Sequence, residues 1–273
     1  MTSKKRKRGP KTGTVRLGDR DRSILRFVAR NRLATPDLLY QTFFPGKGWA
    51  ASTSVLRRLL GRGPTYRYLR PQKLDGTHVA YRLTRRGCRE LGVSEKLARP
   101  VGPRAKIERL ATAAFLLAGR GARTPIHGKK LRTFLGLDPG ERLPKPAFYL
   151  EEDKGVVGMG VILIDCGGHS RGIATRTVRK LSGYLDRHWF DAELQAGGIA
   201  VTILTGRRSK VASLLKHVAE AIDEDLRLPV GLLRRGAEPG DLFRLKVVHV
   251  PEIEFLLPGR TDHKNNTPQR KQP

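Results

Sequence analysis

Between positions 19 and 92 the apolar residues first recur at a spacing of three and four, then switch to a spacing of two. Ile24, Leu25 and Val28 fall on one helical face and predict a first helix running to about Asn31. Thr35-Pro36 has the form of an N-cap followed by proline at the first helical position, with Leu38, Leu39 and Phe43 lining a short second helix that Pro45-Gly46 stops. Ser52 is expected to cap a third helix whose inward stripe is Val55, Leu56, Leu59 and Leu60, ended by Gly61 and Gly63-Pro64. An alternating segment around Tyr66 and Tyr68, an Asp75-Gly76 turn, and Val79, Tyr81 and Leu83 two apart then predict a β-hairpin. Thr84 caps a closing helix that runs into Gly92.

Further on, the pattern alternates between the two periods. A Pro-, Gly- and Arg-containing stretch from Arg99 to Arg104 has the composition of a linker. Ile107, Leu110, Ala111, Ala114 and Phe115 follow helical spacing, and Ala147 to Leu150 and Val156 to Ile164 are apolar enough to be paired strands around an acidic turn at Gly155. Val178, Leu181 and Leu185 mark a helix after Gly172. The unbroken apolar run Gly198 to Leu204 suits a buried central strand, Val211, Leu214, Leu215, Val218 and Ile222 a following helix, and Leu242 to Val250 a last strand. Strands alternating with helices imply an α/β unit with a mixed sheet. The expected organisation is a basic tail over 1–16, a winged helix-turn-helix over 17–98, an α/β unit over 105–257 and a polar tail over 258–273, an α+β chain as a whole.

Charge points this fold toward a partner. The 273 residues carry 54 Lys+Arg against 25 Asp+Glu, a formal net charge of +29. Such an excess attracts polyanions, while 38% hydrophobic residues leave enough material for a core. No run approaches the ~20 apolar residues that span a bilayer, and the basic N-terminus has no apolar segment of a secretory signal behind it. Cys88 and Cys166 cannot build a disulfide framework or a four-cysteine zinc site, which fits a reducing cytoplasm. Double-stranded DNA is the expected partner, with the protein cytoplasmic and associated with the nucleoid. The seven histidines lack metal-ligand spacing, and no metal or cofactor is expected.

A helix fits the major groove and must present side chains that reach bases and phosphates. With its apolar stripe inward, the third helix leaves Thr53, Ser54, Arg57, Arg58 and Arg62 outside. The hairpin offers Arg70, Lys73 and His78, and the tail adds Lys4, Lys5, Arg6, Lys7 and Arg8. The plainer roles are a solvated tail and a protein-interaction module with a charged helix face. No long heptad seam offers a dimer interface, so self-association or assembly with other proteins stays open.

Several segments resemble the replication-relaxation family of plasmid and mobile-element proteins. They are Leu17-Gly18-Asp19-Arg20-Asp21-Arg22-Ser23-Ile24-Leu25, Leu38-Leu39 to Phe43-Phe44-Pro45, Arg57-Arg58-Leu59, and Tyr81-Arg82-Leu83-Thr84-Arg85-Arg86-Gly87. In the second half Pro144-Lys145-Pro146-Ala147-Phe148, Ile162-Leu163-Ile164-Asp165, Lys180-Leu181-Ser182-Gly183-Tyr184 and Ile203-Leu204-Thr205 fall where that family's segments would. The resemblance implies a winged helix joined to a restriction-endonuclease-like sheet, and a role in plasmid replication, DNA relaxation or transfer, or their regulation, alongside other mobile-element proteins.

The same resemblance makes Asp165 and Lys180 the candidate catalytic pair, and here the chain departs from the family. Lys145 stands where the family has an aspartate, and Leu163-Ile164-Asp165 keeps only the last acid of a Glu-x-Asp. A nuclease of this type needs clustered carboxylates to hold Mg²⁺ and position water, so a buried Asp165–Lys180 pair is the expected use of these residues. Glu152-Asp153-Lys154, with Asp138 upstream, spells a rival Glu-x-Lys but falls at a turn. Gly206-Arg207-Arg208-Ser209-Lys210 sits between strand and helix, where backbone N–H groups can meet phosphate, but lacks the Walker spelling. The alternatives to a non-enzymatic DNA binder are a metal-dependent DNA nuclease and a winged-helix repressor.

Overall fold

The computed structural model describes residues 17–61, 67–119, 121–138, 140–143, 147–153, 155–186, 194, 198–228 and 238–257. Helices and a mixed sheet make up an α+β architecture. The N-terminal part runs α1 (Asp19–Asn31), α2 (Pro36–Phe43), α3 (Trp49–Leu60), the hairpin β1 (Leu69–Lys73) and β2 (Val79–Leu83), and α4 (Arg85–Leu91).

The local chemistry of these elements follows the pattern of the sequence with one exception. The Thr35 hydroxyl accepts from the Leu38 N–H at 3.2 Å and the Thr84 hydroxyl from the Gly87 N–H at 3.0 Å, so both expected caps form. Asp75 closes the hairpin by accepting from the backbone of Thr77 and His78. Ser52 is the exception. α3 begins four residues earlier, with Gly48 at its N-cap, and Ser52 is fully buried with its hydroxyl donating to the Trp49 carbonyl at 2.7 Å. Ala34, between α1 and α2, exchanges two backbone hydrogen bonds with Tyr81 and so adds a one-residue bridge to the hairpin. Ile24, Leu25, Val28, Leu39, Leu59 and Leu83 meet in the core between these helices and the hairpin.

The second part is a five-stranded sheet in the order β3 (Arg123–Ile126), β4 (Ala147–Asp153), β5 (Val156–Ile164), β6 (Ile199–Thr205) and β7 (Phe243–His249). The first three strands are antiparallel and the last three parallel. β6 is buried at every residue, as its unbroken apolar run requires of a central strand. The parallel pairs are joined through α7 (Ser170–Leu185) and α8 (Val211–Asp225), and α6 (Gly128–Phe134) follows β3. Alternation divides the sheet. Phe148, Val161, Val201 and Ile203 pack with Val178 and Leu181 of α7 and Val218 of α8, whereas Tyr149, Ile162 and Leu204 face α5 (Pro103–Ala118).

The Arg99–Arg104 segment, expected as a linker, is docked. Val101 is buried, its N–H donates to Gln72 Oε1 at 3.2 Å, and its carbonyl accepts from Gln72 Nε2 at 2.7 Å. α5 then supplies one apolar cluster to both parts. Ile107, Leu110 and Ala111 share it with Leu33, Leu38 and Ala80 on one side and Tyr149, Ile162 and Leu204 on the other. Composition marks turns and breaks, but a Pro- and Gly-containing segment that also carries Val101 is free to pack when both neighbours bring apolar surface.

Candidate nucleic-acid interface and adjoining basic cleft

α3 owes its position to Leu56 and Leu59, which are buried, and to Val55 and Leu60, which are partly buried against the same core. The opposite face carries the exposed side chains of Ala50, Ser54 and Arg57, with Thr53 half-buried beside them. Arg57 has no hydrogen-bond or ion-pair partner among the described residues. The Thr53 hydroxyl already donates to the Trp49 carbonyl at 3.0 Å. Arg58 has a different position. Its Nη2 lies 2.5 Å from Oδ1 of the buried Asp21, whose other oxygen accepts from the Gly18 N–H at 3.0 Å. Arg58 therefore ties the end of α3 to the start of α1. Sequence reasoning missed Trp49, which starts α3 about half exposed and packs on Tyr40 with ring centroids 5.1 Å apart. Its signal was present: a tryptophan after Gly48 in a stretch of otherwise small and polar residues.

The three hairpin candidates separate. Arg70 is exposed and lies opposite Arg82 in the strand register. Lys73 is exposed, while its carbonyl accepts from Lys106 Nζ at 2.6 Å. His78 stacks on Phe255 with centroids 3.9 Å apart, and its Nδ1 sits 2.7 Å from Asp75 Oδ2. The backbone hydrogen bond from His78 leads the causes that lower the Asp75 carboxyl to about 2. Thus the hairpin turn faces the C-terminal part through His78, while the Arg70 and Lys73 side chains are exposed on its strands. Arg62, Lys4, Lys5, Arg6, Lys7 and Arg8 lie outside the described residues, as do Tyr66, Lys145 and Lys154.

Asp165 follows β5 and is fully buried, but Lys180 is not its partner. Asp165 Oδ2 accepts from Thr205 Oγ1 at 3.0 Å and from Lys210 Nζ at 3.2 Å, and Oδ1 accepts from the Gly167 N–H at 2.8 Å. Lys210 Nζ also donates to the Gly168 carbonyl at 2.5 Å. The parallel register explains the replacement: Ile164 pairs with Leu204, so the residues that follow the two strands meet. The Gly206–Lys210 loop thus turns its lysine inward, onto a carboxylate, instead of presenting it to an external phosphate. Glu152 lies in β4, opposite Val157, with its side chain exposed, and Asp138 donates its N–H to Glu141. Among the described residues no group of three His, Cys, Asp or Glu side chains could hold a metal ion.

Lys180 instead lines a cleft of about 550 Å³ between α5, α7 and the end of β5. Arg104, Arg176 and Arg179 line it too, with Cys166 and a wall that includes Ile107, Ile164 and Leu256. The Lys180 side chain is exposed, but partial desolvation along this wall holds its ammonium below the usual lysine range, Arg104 and Arg176 push the same way, and Glu108 opposes them. Burial likewise raises the Cys166 thiol. Glu108 accepts from Arg104 Nε at 2.9 Å, which leaves the cleft with a basic excess.

Comparison of the chain with family models, curated proteins and solved structures finds no match to it. No helix among the described residues is long and apolar enough to cross a membrane.

Proposed function

We propose that the chain binds duplex DNA, with α1 to α4 and the hairpin acting as a winged helix-turn-helix that lays α3 in the major groove. The observation that carries this reading is the outward face of α3. Ser54 and Arg57 project from a helix whose opposite side is pinned by Leu56 and Leu59, beside a hairpin on which the Arg70 and Lys73 side chains are exposed. The Ala34–Tyr81 bridge supports the winged-helix assignment, because it fastens the α1–α2 connection to the hairpin. A net charge of +29 supplies the long-range attraction to phosphates. Trp49, half exposed at the leading end of α3, would then touch sugar or base methyl groups.

The order α5, β3, β4, β5, α7, β6, with the short α6 inserted between β3 and β4, supports reading the second part as a restriction-endonuclease-like scaffold. Its remaining strand-end carboxylate, Asp165, is occupied by Lys210 and Thr205, which favours a binding role over Mg²⁺-dependent cleavage. The biological setting we infer is a plasmid, phage or integrative element, with the protein on cytoplasmic DNA in replication, relaxation or transfer, or their control. Fluorescence anisotropy of a labelled duplex tests the interface: Arg57→Glu should weaken binding strongly, and unchanged affinity would remove α3 from it.

A further inference from the structure

We propose that the cleft between α5 and α7 is a binding site for a phosphomonoester carried on a nucleoside, with Arg104, Arg176 and Lys180 taking the phosphate. The site does not involve α3 and stands independently of the duplex-binding reading.

Cations of like sign repel, and bringing several to one concave wall is costly unless an anion joins them. Arg176 and Lys180 are one helical turn apart on α7 and both line the cleft, while Arg104 reaches it from the first turn of α5. The described residues offer one opposing carboxylate, Glu108, against these three, and it is already bonded to Arg104. A phosphomonoester brings close to two negative charges and three acceptor oxygens, the complement such a cluster lacks.

The remaining walls suggest the rest of the ligand. Ile107, Ile164, Ile173 and Leu256 give the cleft an apolar side next to its basic rim. A volume of about 550 Å³ lies within the range of small-molecule sites and is too small for a duplex. A terminal phosphate on a flat, weakly polar base fits this division. A free mononucleotide and the 5′ end of a DNA strand both present that chemistry.

Cys166 lines the same cleft and Cys88 is buried in the N-terminal core, so alkylation of the full chain reads occupancy and folding together. Mass spectrometry would follow iodoacetamide labelling of each thiol with thymidine 5′-monophosphate, inorganic phosphate, thymidine or a short 5′-phosphorylated oligonucleotide. At ten times its Kd a ligand leaves about a tenth of the clefts open, so the mononucleotide should slow Cys166 labelling about tenfold. Thymidine should not slow it, and the double variant R176Q/K180Q should lose the protection while Cys88 stays unlabelled. Protection by the oligonucleotide at lower concentration than by the mononucleotide would identify a strand end as the ligand, and the reverse a free nucleotide. Absence of protection by any phosphate compound would overturn the proposal. So would equal protection by thymidine, or protection that survives in R176Q/K180Q.

Discussion

Arg58 donates to the buried carboxylate of Asp21 across 2.5 Å, joining the last turn of α3 to the first turn of α1. Arg57, next to it in sequence, points outward from the same turn. Adjacent residues on a helix stand about 100° apart, which suffices to give one arginine to the framework and the other to the surface.

The two should therefore fail differently. Arg58→Ala leaves a buried carboxylate held only by the Gly18 N–H, and should lower stability by about 1–3 kcal/mol in urea denaturation. Arg57→Ala should change stability by less than about 0.5 kcal/mol. If Arg57 reads a base, its loss should weaken binding to a preferred duplex by ~1–3 kcal/mol and to other duplexes less. Equal losses on every sequence would make it a phosphate contact.

Lys210→Met tests the strand-end pair. It strips the charge from the neighbour of a fully buried Asp165, leaving Thr205 and the Gly167 N–H to hold the carboxylate. Removing one partner of a buried pair costs about 3 kcal/mol or more, which a thermal or urea melt would register. Lys180→Met at the position first expected to pair with Asp165 should cost far less. Similar losses for the two lysines would contradict the assignment.

Gly160→Ala probes the packing under the sheet. A Cβ there would come 2.3 Å from the Tyr149 ring, which is fully buried and bonded through its hydroxyl to Thr202 at 2.7 Å. The ring has little room to move, so the substitution should destabilise by about 1–3 kcal/mol. Gly172→Ala, where nothing lies within 4 Å, should be neutral or stabilising because α7 gains helix propensity.

Glu151 gives the sheet a pH dependence. Burial alone would raise its carboxyl, but hydrogen bonds from Lys246 and Arg123, each at 2.8 Å, outweigh burial and hold it below the usual glutamate range. A carboxyl lowered on folding contributes stability that is present above its unfolded pKa and lost as the pH falls through the folded one. Melts should thus show stability declining on acidification below the ordinary glutamate range, with a shallower decline in Glu151→Gln. Identical slopes would remove Glu151 from the acid transition.

The hydrophobic pattern held most of the architecture. The spacing of Leu56 and Leu59 oriented α3, Asp75-Gly76 located the hairpin turn, and the apolar run ending at Leu204 marked the buried strand β6. Local chemistry is legible because capping and turn groups meet within a few residues. The pairings that shape the candidate site are long-range. Asp165 and Lys210 are brought together by the parallel pairing of β5 with β6, and this register is absent from either segment alone. His78 meets Phe255 only because Val101 and α5 dock the hairpin against the second part, where composition suggested an open linker. The start of α3 at Trp49 was hidden by Ser52, whose hydroxyl suits a cap yet serves equally well donating to a carbonyl inside a helix.

The most direct test of duplex binding is a salt titration of the purified chain on random duplex DNA and on the DNA that flanks its own gene. Each phosphate neutralised should contribute about −0.9 to the slope of log Kobs against log salt. The account predicts a steep negative slope on both DNAs, with a preferred fragment in the second that loses its advantage in Arg57→Ala. A flat salt response, or no binding at any salt concentration, would contradict it.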